Sequence, residues 1–487
     1  MPFCTFWKKK VKKRDVILCF FVPLQFKKIV LMEMKRFCLA ILMVMLSSVT
    51  YAQYVTNGDG TTYTLRSLSE IEESGVEYIY SPYTMCSHIY HLQKKITIDH
   101  RDKFVMEDDV RVEFFENVVL VIEGESDFKL TRGSTFIPYD DEKASGTSIR
   151  LNSESDVTFE NCYFMTVGLE KMGDGALNVR NCHFTDHHGS SAAALYFMDS
   201  GAPSLIEGCY FANCQKAAIG SSANASQPMT IRSCTFSYNS AANNNVPQIN
   251  ITAANKLLIE ENTVCGNPEN NMVGGIGISN FFQFESDVEI RRCLIQDNRY
   301  GIGLVGPADN FYVSDCQLLN NKYESNAMNG GSGISLYDPY QMTSARLAGN
   351  MIEGNLWGVT IIGCKDVCLG KVDGDTEQER GGNTFKDNGN GGVLYDLYNN
   401  STLTVYAQNN TWGVSSQTEE QIESVIFHQH DNASLGEVIF WPAANTAGIH
   451  NTEHKAENNE PYYNIYGVRR STPVKGINII HGKKVVR

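Results

Sequence analysis

Three things are scarce in this sequence: long apolar runs outside its first fifty residues, helical periodicity, and positive charge to match its acids. Without a second long apolar run there is no candidate for a spanning helix beyond the start, and Val16–Val22 is itself too short to cross a bilayer. Where the apolar residues are regular they alternate with period two, so the elements are strands and not helices. The chain has 41 Lys+Arg against 55 Asp+Glu, and residues 1–52 hold 10 and 2 of these. The remainder therefore carries 31 basic and 53 acidic residues, a net charge of −22. Such a surface repels nucleic acid and anionic lipid, and it disfavours polyuronates unless Ca²⁺ bridges the two.

Paired cysteine is also missing. Eleven cysteines follow Ala52, an odd number, and Cys364-x-x-x-Cys368 has no second pair beside it to complete a metal site. The cysteines recur instead inside a repeated phrase: Val157-Thr-Phe-Glu-Asn-Cys162-Tyr-Phe164, Leu177-Asn-Val-Arg-Asn-Cys182-His-Phe184, Ser204-Leu-Ile-Glu-Gly-Cys209-Tyr-Phe211 and Met229-Thr-Ile-Arg-Ser-Cys234-Thr-Phe236. Further copies contain Ile259, Cys293 and Cys316, and degenerate ones lie near Asn350, Asn383 and Asn409. A spacing of about 20 to 35 residues is the period of a solenoid coil with variable loops.

Stacking the copies predicts ladders. Phe159, Val179, Ile206, Ile231, Ile259, Ile290 and Val313 form one inward column, the cysteines a second, and Phe164, Phe184, Phe211 and Phe236 a third. Cβ atoms one rung apart are about 4.8 Å from each other, too far for a disulfide, which predicts buried free thiols. Glu160, Arg180, Glu207, Arg232, Glu260 and Arg291 alternate in sign two places before each ladder cysteine or its equivalent. As vertical neighbours they would clamp the register at about 0.2–1 kcal/mol per pair. A second strand begins in several rungs with Gly and an aliphatic, as in Gly301-Ile-Gly-Leu and Gly333-Ile-Ser-Leu, after turns ending at Asn213, Asn239, Asn267, Asn298, Asn321, Asn355 and Asn388.

These rungs resemble the right-handed parallel β-helix superfamily, the pectin-lyase-like fold, over most of residues 100–443. The resemblance implies an all-β, single-stranded parallel solenoid. It also implies a choice between polysaccharide lyases or hydrolases and non-catalytic adhesins and surface proteins. The polygalacturonase-type marks (an Asp-Asp pair with separate Gly-His-Gly and Arg-x-Lys motifs) are absent, and so is a matching lyase set. The outward positions of the Gly-Ile strand read Tyr196, Gly220, Asn250, Gly277, Gly303, Ser335, Thr360 and Leu394. No carboxylate pair of the kind a glycosidase needs stands among them. They describe an uncharged groove in which Tyr196, Asn250 and Tyr337 would bind a glycan.

Two polar clusters remain. Asp186, His187 and His188, close to His183, read either as a solvated turn or as an acid–base or metal group. Asp373, Asp375 and Glu377, spaced i, i+2, i+4 around Gly374, read either as an ordinary acidic loop tip or as a Ca²⁺ site, and no cofactor is expected unless this loop binds Ca²⁺. Asp338 and Asp396 follow their strands and could face a groove.

The ends of the chain have their own readings. Met34-Lys35-Arg36, the apolar Phe37–Leu46 and Thr50-Tyr51-Ala52 form a signal peptide, with residues 1–33 an upstream start outside the natural protein or a second hydrophobic segment. Residues 53–94 form an N-terminal cap, in which Ser67 N-caps a helix over Leu68–Ser74 with Glu70 completing the box. Residues 95–443 are the solenoid with its closing unit, including a helix at Glu419–Ile426, and 444–461 are a linker. Residues 462–487, with Gly476-Ile-Asn-Ile-Ile480 and Gly482-Lys-Lys-Val485, are either a small β appendage or similar to the C-terminal sorting signal of type IX secretion. The latter implies a Bacteroidetes-type secreted or surface protein and a secretion-machinery partner. The expected function is non-catalytic engagement of an extended glycan by a monomer, or an adhesin-like scaffold; the alternative is a lyase or hydrolase.

Overall fold

The computed structural model describes residues 53–444, apart from 83–85, 131, 144, 253–254 and 281–284, together with four backbone strands within 462–486. The signal peptide and most of the linker lie outside the described residues. The chain divides into two compact units, residues 1–288 and 289–487.

Each coil runs through three strands. In the first unit one coil is Ser148–Leu151, Val157–Glu160 and Tyr163–Met165, and the next is Gly168–Lys171, Leu177–Arg180 and His183–Thr185. Equivalent strands of successive coils pair in parallel, producing three faces. The face carrying Val157–Glu160 is termed the first, that carrying Tyr163–Met165 the second, and that carrying Gly168–Lys171 the third. The second unit repeats the plan, with Ser332–Asp338, Ser344–Ala348 and Met351–Glu353 as one coil.

The turn residue of the repeated phrase explains the corner between the first two faces. Asn161, Asn181, Gly208, Ser233 and Glu261 all have φ between 51° and 64°. One left-handed residue bends the chain, and the next side chain then points inward. Asn and Gly adopt this conformation at least cost, which accounts for their frequency there. The following residue is Cys162, Cys182, Cys209, Cys234 or Asn262, each buried. Its sulfur or oxygen accepts the amide of the rung before: Cys162 N–H donates to Cys182 Sγ at 3.4 Å and Cys234 N–H to Asn262 Oδ1 at 2.8 Å. All eleven cysteines after Ala52 are free thiols. Burial raises the Cys182 thiol and pushes Cys214 up to about 12, the hydrogen bond with Cys209 together with burial raises Cys234, and the hydrogen bonds from Cys182 and Cys234 lower Cys209 between them.

The interior columns run in register. Phe159, Val179, Ile206, Ile231 and Ile259 are successive partners. The phenylalanine column starts one rung earlier than the phrase indicates, at Phe136, with centroids 4.5–5.0 Å apart through Phe164, Phe184, Phe211 and Phe236. Outside, Glu160, Arg180, Glu207, Arg232 and Glu260 are vertical neighbours. Glu207 bonds both ways, 3.4 Å to Arg180 and 2.6 Å to Arg232.

In the second unit asparagine dominates the corners. Asn321 N–H donates to Asn355 Oδ1 at 2.9 Å and Asn355 N–H to Asn388 Oδ1 at 3.2 Å. At the other corner Asn350 and Asn383 continue from Cys316 to Asn410 in the same way. Gly333 is required beside this ladder, since a Cβ there would stand 2.8 Å from the Gly358 carbonyl oxygen.

The cap helix spans Leu65–Ser69, not Leu68–Ser74. Thr64 is its N-cap and Ser67 completes the box, which buries Leu65 and Leu68. Glu72–Ser74 forms a separate 3₁₀ turn. The C-terminal helix is Glu419–Glu423, capped by Thr418. The tail strands Tyr462–Asn464, Arg469–Arg470, Ile477–Ile480 and Lys483–Val486 form an antiparallel sheet. Among the described residues no helix is long and apolar enough to cross a membrane.

Candidate functional site

The histidine cluster is taken apart by the corner geometry. His183 lies on the second face between Tyr163 and Tyr210, exposed, its ring 6.2 and 5.7 Å from theirs. Asp186 is the left-handed residue of its corner, with φ of 55°, and its side chain is exposed. His187 takes the next position, which points inward, and is 1% exposed. Cys214 and Asn239 fill the corresponding place in the following coils, so His187 replaces a ladder residue and is not at a solvated turn. Its Nδ1 lies 2.9 Å from the Thr166 carbonyl oxygen. Burial drives its pKa down to about 4, so the ring is neutral at pH 7. His188 points out to solvent, with Nδ1 2.8 Å from the Asp186 carbonyl oxygen. Alternation at the corner thus sends Asp186, His187 and His188 in different directions.

The acidic loop is also dispersed. Asp373, Asp375 and Glu377 are exposed, and the Glu377 carboxylate is 2.8 Å from the Arg380 guanidinium. Asp375 offers its backbone amide to Glu379 at 3.2 Å. Among the described residues no three Asp, Glu, His or Cys side chains are placed to hold a metal ion. Asp338 and Asp396 face inward. Asp338 accepts the amides of Tyr340, Met342 and Thr343. Asp396 accepts from Asn388 Nδ2 at 3.0 Å and from Gly413 N–H at 2.7 Å. Burial raises the Asp396 carboxyl to about 6.

The third face is where the outward positions stand. In the first unit its column reads Thr97, Val121, Arg150, Glu170, Tyr196, Gly220, Asn250 and Gly277. Tyr196 and Asn250 are two rungs apart with Gly220 between them, and a Cβ on Gly220 would come within 3.3 Å of the Tyr196 ring. The Gly-aliphatic opening was the sequence signal for this strand. Ser148–Leu151 lacks that opening, and Gly168–Lys171 has it without a turn ending in Asn before it, so the sequence does not single out Arg150 and Glu170. Arg150 Nε donates to Glu170 at 2.6 Å, and only 4% of the Glu170 side chain is exposed. Burial and the Glu170 charge raise the neighbouring Tyr196 phenol. Lys171 occupies an interior column between Leu151 and Phe197, and burial lowers its ammonium to about 8 despite Asp174, Asp156 and Asp199 nearby.

In the second unit the column reads Gly303, Ser335, Thr360, Tyr398 and Phe427. Tyr398, not Leu394, is the member after Thr360. Val393–Leu394 pairs antiparallel with Gly389–Asn390 as an inserted hairpin, turned by Gly391 and Gly392 at φ of 57° and 85°. A parallel outward column holds Val305, Tyr337 and Ile362, each at least 36% exposed. Trp357, Tyr395, Tyr398 and Phe427 form one aromatic group, with Tyr398 stacked on Phe427 at 4.5 Å and Trp357 4.6 Å from Tyr395. The Trp357 indole N–H donates to the Ala327 carbonyl at 2.7 Å, which fixes the ring. Tyr337 lies on the same face, two strands before Tyr398 and one outward column over, and these two columns carry no charged side chain among the described residues.

A family model described as "Right handed beta helix region" matches residues 98–245 and 173–340. No curated protein matches the sequence. Among solved structures, the periplasmic alginate epimerase AlgG is similar at 11% identity and a TM-score of 0.43, covering 79% of this chain and 83% of that one. A double mutant of the epimerase is similar at 10% identity and a TM-score of 0.41 over the same shares. Parallel strands on three faces, a corner in every coil and the family match identify the chain as a right-handed parallel β-helix.

Proposed function

We propose that the chain engages an extended glycan on the third face of its second unit, without chemistry, as a secreted or surface-exposed scaffold. The observation that carries this reading is the aromatic group Trp357, Tyr395, Tyr398 and Phe427, with Tyr337 on the same face and no charged side chain in the two outward columns. Aromatic faces bury the C–H faces of sugar rings, while Ser335 and Thr360 offer hydroxyls to hydrogen-bond them. Parallel strands about 4.8 Å apart repeat these contacts along a chain, which suits a polymer better than a single sugar. In the first unit Tyr196 and Asn250 provide a second, sparser set. The leader places the protein outside the cytoplasm in this reading, with residues 462–487 engaging a secretion machinery and the β-helix acting as a monomer.

One observation favours a catalytic role instead: Arg150, Glu170 and Tyr196 occupy consecutive outward positions. The Glu170 carboxylate is already committed to Arg150, however, and hydrolysis needs a second carboxylate facing the first. The two readings are separated by a screen of neutral and acidic polysaccharides on the full chain, with and without Ca²⁺. It would record gel retardation, reducing ends and unsaturated-product absorbance together. Retardation without product is expected, with Tyr398→Ala weakening it roughly twofold to tenfold, the worth of one aromatic contact. Product formation abolished by Glu170→Gln would overturn the non-catalytic reading.

A further inference from the structure

The loop that follows Tyr337 is built around a buried acid. Asp338 is fully buried, and its carboxylate accepts the amides of Tyr340, Met342 and Thr343 at 3.0, 2.8 and 2.6 Å. The Gln341 amide donates to the Asp338 carbonyl at 3.2 Å, and Gln341 turns the chain with φ of 56°. A carboxylate that takes three amides holds the backbone of so short a loop in one conformation. The loop nevertheless keeps its large side chains in water: Tyr340 is 58% exposed and Met342 45%. The strand before it ends in the same manner, with Tyr337 exposed between Val305 and Ile362 of the adjoining coils. Exposed apolar side chains on a rigid mount form a contact surface and add nothing to the core.

Charge on and around this surface disfavours ionic ligands. The chain after Ala52 has 53 acidic residues against 31 basic, so a polyanion is repelled at long range. A polycation is drawn to the chain as a whole, but neither outward column offers it a carboxylate, and Asp338 is turned inward onto its own loop amides. At the Gly303 rung the Tyr300 ring lies against the glycine, and the cation next to it in sequence, Arg299, donates to the Asn329 carbonyl. What the face presents is apolar contact and hydroxyl groups. Ser335 and Thr360 are vertical neighbours, and Thr360 Oγ1 shares a 3.0 Å hydrogen bond with Ser332 Oγ.

We infer that the ligand of this face is an uncharged polysaccharide and that the loop held by Asp338 is part of its site; the inference rests on the reading of the face as a glycan platform. Tyr340 and Met342 extend the apolar contact beyond Tyr337 and cover C–H surface of the sugars, while Ser335 and Thr360 hydrogen-bond their hydroxyls. No ion pair forms in such a complex, so its affinity is insensitive to salt and to Ca²⁺. A uronate polymer, by contrast, would meet no cation on either column.

The test uses the full chain and gel retardation by four polymers, each at about 0.02 and 0.5 M NaCl. A β-glucan and a galactomannan are the neutral probes, polygalacturonate the acidic one and chitosan the cationic one. A neutral probe should retard the protein equally at both salt concentrations. Tyr340→Ala and Tyr398→Ala, both at solvent-facing positions, should each weaken that retardation roughly twofold to tenfold. Retardation by polygalacturonate or chitosan alone, fading with salt and still weakened by Tyr398→Ala, keeps the glycan platform and overturns its uncharged class. Neutral retardation that Tyr398→Ala weakens and Tyr340→Ala leaves unchanged overturns the part given to the loop. No retardation by any polymer, or retardation that neither variant weakens, overturns the platform reading and this inference with it.

Discussion

Acidification should weaken the first unit through His187. The ring is held neutral inside, with its pKa lowered from 6.5 to about 4 by burial. The unfolded chain takes up its proton first, near the ordinary value. The stability this residue allows is therefore complete above about pH 6.5, declines as pH falls below that, and levels off once pH passes the folded value. The interval of roughly two and a half pKa units corresponds to about 3 kcal/mol at full effect. Asp396 acts in the opposite direction, because its carboxyl is raised to about 6 and the folded state holds its proton more tightly. A pH titration of the natural protein alone would blend the two. The perturbation is therefore His187→Gln, whose amide can still donate to the Thr166 carbonyl but cannot titrate. Denaturant unfolding of both proteins at pH 7, 5.5 and 4, followed by amide hydrogen exchange in residues 163–215, isolates the term. The gap between variant and natural protein should move by about 3 kcal/mol in favour of the variant between pH 7 and 4. A gap that stays constant to within about 0.5 kcal/mol refutes the buried, neutral imidazole.

Three further outcomes are expected. Lys171, lowered to about 8, should make the natural protein gain stability as pH rises from about 8 to 10.5, and Lys171→Met should flatten that rise in urea midpoints. Phe184→Ala removes the middle of a stack whose neighbours are 4.5 and 4.8 Å away, and should cost about 3–5 kcal/mol in chemical unfolding. Glu207→Gln breaks two half-exposed ion pairs, so the loss should be about 1 kcal/mol at low salt and should shrink in 1 M NaCl.

The sequence by itself determined the coil. Period-two alternation, a turn residue before each ladder residue and sign alternation from Glu160 to Glu260 are local rules repeated at one spacing. In a parallel in-register stack, local repetition is enough to name the vertical neighbours. That is why the phenylalanine, cysteine and Glu–Arg columns could be written down before any coordinates. What the repeat does not encode is which side of a corner an irregular residue takes. His187 looked like its neighbours Asp186 and His188 in the sequence. Only the left-handed turn at Asp186 directs it inward, while the residues on either side stay in water. Arg150 was missed because Ser148–Leu151 lacks the Gly-aliphatic opening, Glu170 because Gly168-Leu169 has it without a turn ending in Asn before it, and Leu394 was placed in a column because its segment opens that way. The hairpin at Gly389–Leu394 shifts that rung to Tyr398, and with it the aromatic surface is assembled from Trp357, Tyr395, Tyr398 and Phe427. Such an assembly joins residues up to 70 positions apart, and stacking of coils with unequal loops, a tertiary property, decides it.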